Sequence, residues 1–200
     1  MKRILFCTAI AAVALTSCSS DDFLGEVPGN NPSDVTAKEI SFSGEAGKTS
    51  RGTRAGEDKT GIDAANALSS NFIVFGTKKV NGTNTIVYDH YNVNYTDNNW
   101  VYAGVKSNSL NSTKGNQALK FWDYSASQYD FVAFSLGGKE IGEETGKINV
   151  TRITDKDTPT YTLSGKISDL QGCFIADKMS VTSTDYGKAV QFTFRSTGTK

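Results

Sequence analysis

The sequence predicts an all-β protein, an Ig-like or transthyretin-like β-sandwich, on three observations. Short runs of alternating or continuous apolar residues recur along the chain, separated by turn residues at regular intervals. Nineteen glycines, 11 phenylalanines and 8 tyrosines, with abundant Thr, Ser and Asn, favour strands joined by turns. No stretch keeps the apolar period of a helix over a useful length.

Met1-Lys2-Arg3 is a short basic start, and Ile4 to Leu15 is an apolar run too short to cross a bilayer permanently. The run ends in Leu15-Thr16-Ser17-Cys18, which resembles the bacterial lipobox, whose cysteine is acylated and becomes the first residue of the mature chain. Residues 1–17 are therefore expected to be a lipoprotein signal peptide, with Cys18 lipidated and outer-membrane lipid as its partner. A plain signal peptide cleaved nearby is the simpler alternative. Each buried acyl methylene contributes about 0.8 kcal/mol to such an anchor. Ser19-Ser20-Asp21-Asp22 resembles the surface-export signal of Bacteroidetes lipoproteins, and a solvated tether would also begin this way. Gly, Pro, Asn and Ser dominate from Phe23 to about Ala37, so residues 18–37 read as a flexible tether and residues 38–200 as the β-sandwich.

Ile40-Ser41-Phe42-Ser43 alternates apolar and polar, the mark of a strand with one buried face. Gly44 to Gly56 is small, polar and glycine-rich and reads as a solvated loop that holds Arg51 and Arg54. Such loops are preferred nicking sites for a trypsin-like protease. A cut there leaves Ile40 and Phe42 on a peptide with no covalent tie to the rest of the domain. Its departure would open an apolar groove at a sheet edge, where another chain can add a strand. An ordinary edge strand followed by an ordinary loop fits the same residues.

Asp63 to Ser69 is expected to form a short helical turn or coil. Phe72-Ile73-Val74-Phe75 is apolar on both faces, as in a central strand. Asn81-Gly82 is a favoured hairpin pair, so Thr85–Tyr88 is expected to return beside it. Tyr91–Tyr95 reads as a separate strand, and Asn98-Asn99 turns the chain into Trp100–Tyr102. Asn108 to Gln117 is loop-like, and Leu119–Trp122 is apolar again. Tyr129–Ser135 is the second strong strand. Lys147–Thr151, Tyr161–Leu163 and Phe174–Ala176 are shorter ones. Val190–Arg195 alternates cleanly and closes the series.

These segments together resemble the fimbrillin family, the subunits of protease-matured pili and their anchor and tip relatives. The resembling residues are the lipobox at Cys18, Ile40-Ser41-Phe42 ahead of Thr53-Arg54-Ala55, and Asn71 to Gly76. To them are added Lys120 to Ser125 running into Tyr129–Phe134, and Asp177-Lys178-Met179 followed by Val190–Arg195. The resemblance implies a surface lipoprotein of the outer membrane that moves to the fimbrium after processing. It implies an arginine-specific surface protease that cuts after Arg54, or after Arg51, so that the strand holding Ile40 and Phe42 leaves. Another pilus subunit then donates a strand to the groove. The family carries a second sandwich, with the donor strand at its far end. This sequence reaches Lys200 with no evident donor, which fits an N-terminal fragment or a divergent one-domain member, and shaft, anchor and tip roles all stay open.

The charge balance is even, with 21 basic and 21 acidic residues, and no basic run or basic-aromatic stripe is present, so nucleic acid is not an expected partner. A single histidine, His90, cannot build a multi-histidine metal site, and it reads as a surface residue beside Asp89. No Gly-x-Ser-x-Gly elbow accompanies it. Asp155-Lys156-Asp157 lacks the other ligands of an EF-hand loop, and Glu143-Glu144 reads as an exposed turn. No cofactor, metal or enzymatic activity is expected. Cys173 reads as a small buried apolar residue. The alternative function is a carbohydrate-binding surface lipoprotein, which would need Trp100 or Trp122 at the surface, whereas aromatics of this size usually fill a core.

Overall fold

The computed structural model describes residues 37–47, 59–105, 117–142, 146–153 and 160–197. Among the described residues strand accounts for 51% and helix for 11%, so the fold is all-β, a nearly closed sandwich or barrel-like sheet. In chain order the elements are β1 (Phe42–Ala46), α1 (Gly61–Ala67), β2 (Asn71–Val80), β3 (Thr83–Thr96), β4 (Asn99–Val101) and β5 (Gln128–Ser135). There follow β6 (Asn149–Ile153), β7 (Thr160–Ser164), α2 (Ile167–Leu170), β8 (Phe174–Ala176), β9 (Met179–Val181) and β10 (Val190–Ser196).

The main sheet runs β1-β10-β8-β5-β2-β3-β4, with β9 paired to β5 beside β8. Its neighbours are antiparallel except at one edge, where β1 lies parallel to β10 with Phe42 opposite Val190 and Ala46 opposite Phe194. The two edge strands, β1 and β4, curl toward each other, which nearly closes the sheet. A separate hairpin, β6–β7, has Asn149 opposite Ser164.

Continuous apolar runs make β2 and β5 central, because side chains alternate between faces and both faces are covered. Phe72 and Val74 of β2 and Tyr129, Phe131 and Ala133 of β5 point into the larger core, with Tyr88, Val93, Trp122, Phe192 and Phe194. Ile73, Phe75 and Phe134 point the other way. They form a second apolar cluster with Leu136, Ile141, Ile148, Val150 and Cys173, against which Tyr161 and Leu163 of the hairpin pack. Cys173 is fully buried there, and burial pushes its thiol pKa up.

Several boundaries differ from expectation. Thr85–Tyr88 and Tyr91–Tyr95 are one long strand, because His90 adopts a left-handed φ of 55° and lets β3 continue through the irregularity. His90 is half-buried rather than at the surface, its ring edge-on to Phe75 at 4.5 Å and its Nδ1 2.7 Å from Asp89 Oδ1. The hairpin turn at Asn81-Gly82 is as expected, with φ of 50° and 81°, the signature of a type I′ turn. Glu143-Glu144, Asp155-Lys156-Asp157 and residues 108–116 lie outside the described residues.

Gly76 of β2 shows how closely the larger core is packed. A Cβ there would lie 2.8 Å from Phe131 Cδ1 and 3.0 Å from Tyr88 Cδ2, on two fully buried rings. Replacing Gly76 by Ala should therefore destabilise the fold by about 1–3 kcal/mol through overpacking, despite the gain in backbone entropy. Equilibrium urea unfolding of Gly76→Ala measures it, and an unchanged midpoint would show that the rings yield.

Candidate functional site

The candidate site is the seat of β1. Its even-numbered side chains face inward. Ile40, Phe42 and Ala46 are at most 4% exposed, which decides that this segment belongs to the core and does not decorate it. Phe42 sits among four rings, with centroid distances of 5.2 Å to Tyr88, 5.5 Å to Tyr102, 5.6 Å to Phe131 and 5.9 Å to Phe192. Those rings come from β3, the residue after β4, β5 and β10. Burial of Ile40 and Phe42 stabilises by about 1.5–3 kcal/mol each.

The expected loop begins later than the composition suggests. Gly44 and Glu45 belong to β1, and the strand continues to Ala46. Gly44 is a strand residue because of what faces it: a Cβ would lie 3.1 Å from both Phe194 Cε2 and Phe72 Cε1.

Backbone groups account for the rest of the seat. In the parallel ladder, Ser41, Ser43, Glu45 and Gly47 turn their N–H and C=O groups toward β10. Val190 N–H donates to Ser41 O at 2.8 Å and Gly47 N–H donates to Phe194 O at 2.8 Å. Ile40, Phe42, Gly44 and Ala46 turn theirs the other way. That side is tied at both ends: Ile40 N–H donates to Lys120 O at 2.9 Å, and Ala46 and Lys59 exchange a pair of bonds at 3.0 Å. Between the ties lies a cleft of about 410 Å³ that separates β1 from β4. Ser43, Glu45, Thr60, Tyr95, Asn99 and Trp100 are among the residues lining it.

The wall that pairs with residues 38–40 is the apolar segment ahead of β5. Glu39 bridges Phe121 in antiparallel fashion, and Trp122 N–H donates to Lys38 O at 3.0 Å. Trp122 is fully buried, stacked on Tyr186 at 4.6 Å. Burial pushes the Tyr186 phenol pKa up to about 12, and its hydroxyl donates to Ala126 O at 2.8 Å. Asp123 holds this wall in shape. Its Oδ1 accepts from Ser125 N–H at 2.9 Å and Ser125 Oγ at 2.6 Å, and its Oδ2 accepts from Lys78 Nζ at 2.9 Å.

Of the residues singled out by sequence, Ile40 and Phe42 lie together in this seat. Cys18, Arg51 and Arg54 lie outside the described residues, as do the leader and most of the tether. Arg51 and Arg54 fall in the stretch between Gly47 and Lys59, so by connectivity a cut after either one separates β1 covalently from every later element. The chain's polar wall residues, Asp123 and Lys78, carried no recognisable spacing in the sequence, because 45 positions separate them. Among the described residues, no group of three or more His, Cys, Asp and Glu side chains is placed to hold a metal. No model of a known protein family, no curated protein and no solved structure matches the chain.

The Asp123 contacts make a pH prediction. Burial pushes its carboxyl up, but the bonds from Ser125 and Lys78 and the lysine's charge outweigh it, so its pKa is lowered. A carboxyl lowered on folding contributes stability that is fully present above its unfolded value, about 3.9, and is lost as pH falls through the lower folded value. Urea midpoints should therefore drop in acid, and Asp123→Asn should start lower at neutral pH and lose less between about pH 5 and about pH 2. Parallel acid limbs for the two proteins would show that Asp123 carries none of this dependence.

Proposed function

We propose that this protein is a surface-exposed lipoprotein that serves as a fimbrial subunit or pilus-associated component, assembled by strand exchange. Cys18 carries the lipid anchor in the outer membrane. An arginine-specific surface protease cuts after Arg54 or Arg51, β1 leaves, and a strand of another pilus subunit takes its seat. The observation that carries this reading is the position of β1. A short edge strand fills the aromatic centre of the core, yet a single cut on its C-terminal side would leave it held only by non-covalent contacts. Vacating the seat would expose apolar side chains and leave unpaired backbone groups along β10 and at Trp122 and Lys59. Only another extended strand replaces both kinds of contact.

Limited trypsin digestion of the full chain tests it. The first cut is expected after Arg51 or Arg54, leaving a folded remainder, with the Arg51→Gln, Arg54→Gln double variant resisting that cut. In cells, Cys18→Ala should abolish acylation and membrane sedimentation. Rapid degradation of the whole domain, or first cutting elsewhere, counts against assembly by strand exchange, and sedimentation unchanged by Cys18→Ala counts against the anchor.

A second reading, carbohydrate binding by the surface domain, has one observation in its favour. Trp122 is fully buried and cannot form a platform, but Trp100 is only partly buried. It lies at the β1–β4 cleft with Tyr95, Asn98 and Asn99. Aromatic faces beside amides suit a sugar ring. On a glycan array, the full chain would then bind a defined set of glycans, and Trp100→Ala would lose them. An array with no retained glycan removes this reading.

A further inference from the structure

We infer that the seat of β1 selects its occupant by side-chain size along one line: an aromatic at the position of Phe42, and nothing larger than glycine two residues on, at the position of Gly44. The inference rests on the strand-exchange reading and names the chemistry of the strand that would enter.

Four inward positions of the present occupant define the slot: Ile40, Phe42, Gly44 and Ala46, all buried. They are far from equivalent. At Phe42 the rings of Tyr88, Tyr102, Phe131 and Phe192 stand back far enough to surround a phenyl group. At Gly44 the opposite holds. The edges of Phe72 and Phe194 stand 3.1 Å from where a Cβ would be, with Leu68 Cδ1 at 3.5 Å. Both rings are packed against further aromatic rings. Phe72 and Phe194 are fully buried and pack on each other at 5.1 Å. Trp100 backs Phe72 at 4.7 Å, and Phe192 backs Phe194 at 6.0 Å. Ala46 marks a further small seat, 3% exposed.

Backbone preference alone would place a β-branched residue at position 44, since glycine weakens a strand interior. Its presence there is explained by the close approach of two aromatic edges. The outward residues Ser41, Ser43 and Glu45 are polar, and Gln191 Nε2 donates to Glu45 Oε1. The occupant that fits is thus an extended segment of a partner polypeptide running in the direction of β1. Its pattern is aliphatic, polar, aromatic, polar, glycine, polar, small. A strand of uniformly large apolar residues is excluded even though it would bury more surface.

The test uses the full chain, nicked by trypsin and then treated with inhibitor. It is mixed with fluorescent synthetic peptides spanning residues 37–47, and capture is followed by anisotropy. The native peptide is expected to be captured, and the Phe42→Ala and Gly44→Val peptides are each expected to bind at least about tenfold more weakly. Free peptides have no fold to lose, so the comparison isolates fit to the slot. Capture of Gly44→Val as tight as that of the native peptide overturns the size rule and leaves strand exchange standing. Failure of every peptide to bind, or equal capture of a scrambled one, overturns both.

Discussion

The insertion of Phe42 among the rings of Tyr88, Tyr102, Phe131 and Phe192 is the contact on which the larger core depends. It joins the first described strand to rings that follow it in sequence by as few as 46 positions (Tyr88) and as many as 150 (Phe192), and to both halves of the sheet. The contact is unusual in its covalent setting. The side chain at the centre of the cage belongs to a five-residue edge strand, whose forward connection runs through the stretch holding Arg51 and Arg54. Part of the core is thus supplied by a segment that a single backbone cut between Gly47 and Lys59 would separate covalently from every later element.

The sheet is arranged so that such a separation is local. β2 and β5 divide the apolar residues into two clusters, one on each face. Only the cluster that holds Phe42 includes residues of β1. The other, beneath the β6–β7 hairpin, is built from Ile73, Phe75, Phe134, Leu136, Ile141, Ile148, Val150 and Cys173 and makes no use of β1. Antiparallel pairing from β10 through β4 is likewise independent of it. Such a division lets one half of the core open while the other keeps the central strands in register.

Much of this was legible in the residues. Phe72–Phe75 and Tyr129–Ser135 announced central strands because both faces of each are apolar, and the Asn81-Gly82 turn announced its hairpin. Ile40 and Phe42 announced a buried face by simple alternation. The strand's true end did not show, because Gly44 reads as a turn residue until the rings of Phe72 and Phe194 are seen against it. The continuity of β3 was hidden by the polar Asp89-His90 pair. α2 and β9 were missed, being four and three residues long, too short for a period to register. The Asp123–Lys78 pair and the parallel partnership of β1 with β10 were beyond the sequence altogether. Periodicity states which face is buried but not which strand lies alongside.

That parallel partnership has a mechanical meaning. Tension applied between the N-terminal end of β1 and the C-terminal end of β10 pulls the two strands past each other along their length. The ladder from Phe42–Val190 to Ala46–Phe194 is then loaded in shear, so its bonds share the force instead of opening one after another. An antiparallel pair pulled from adjacent ends would unzip. If a strand from a neighbouring chain replaces β1 in the same direction, this shear clamp becomes the joint between the two chains, and a fibre built of such joints resists stretching where it is spliced.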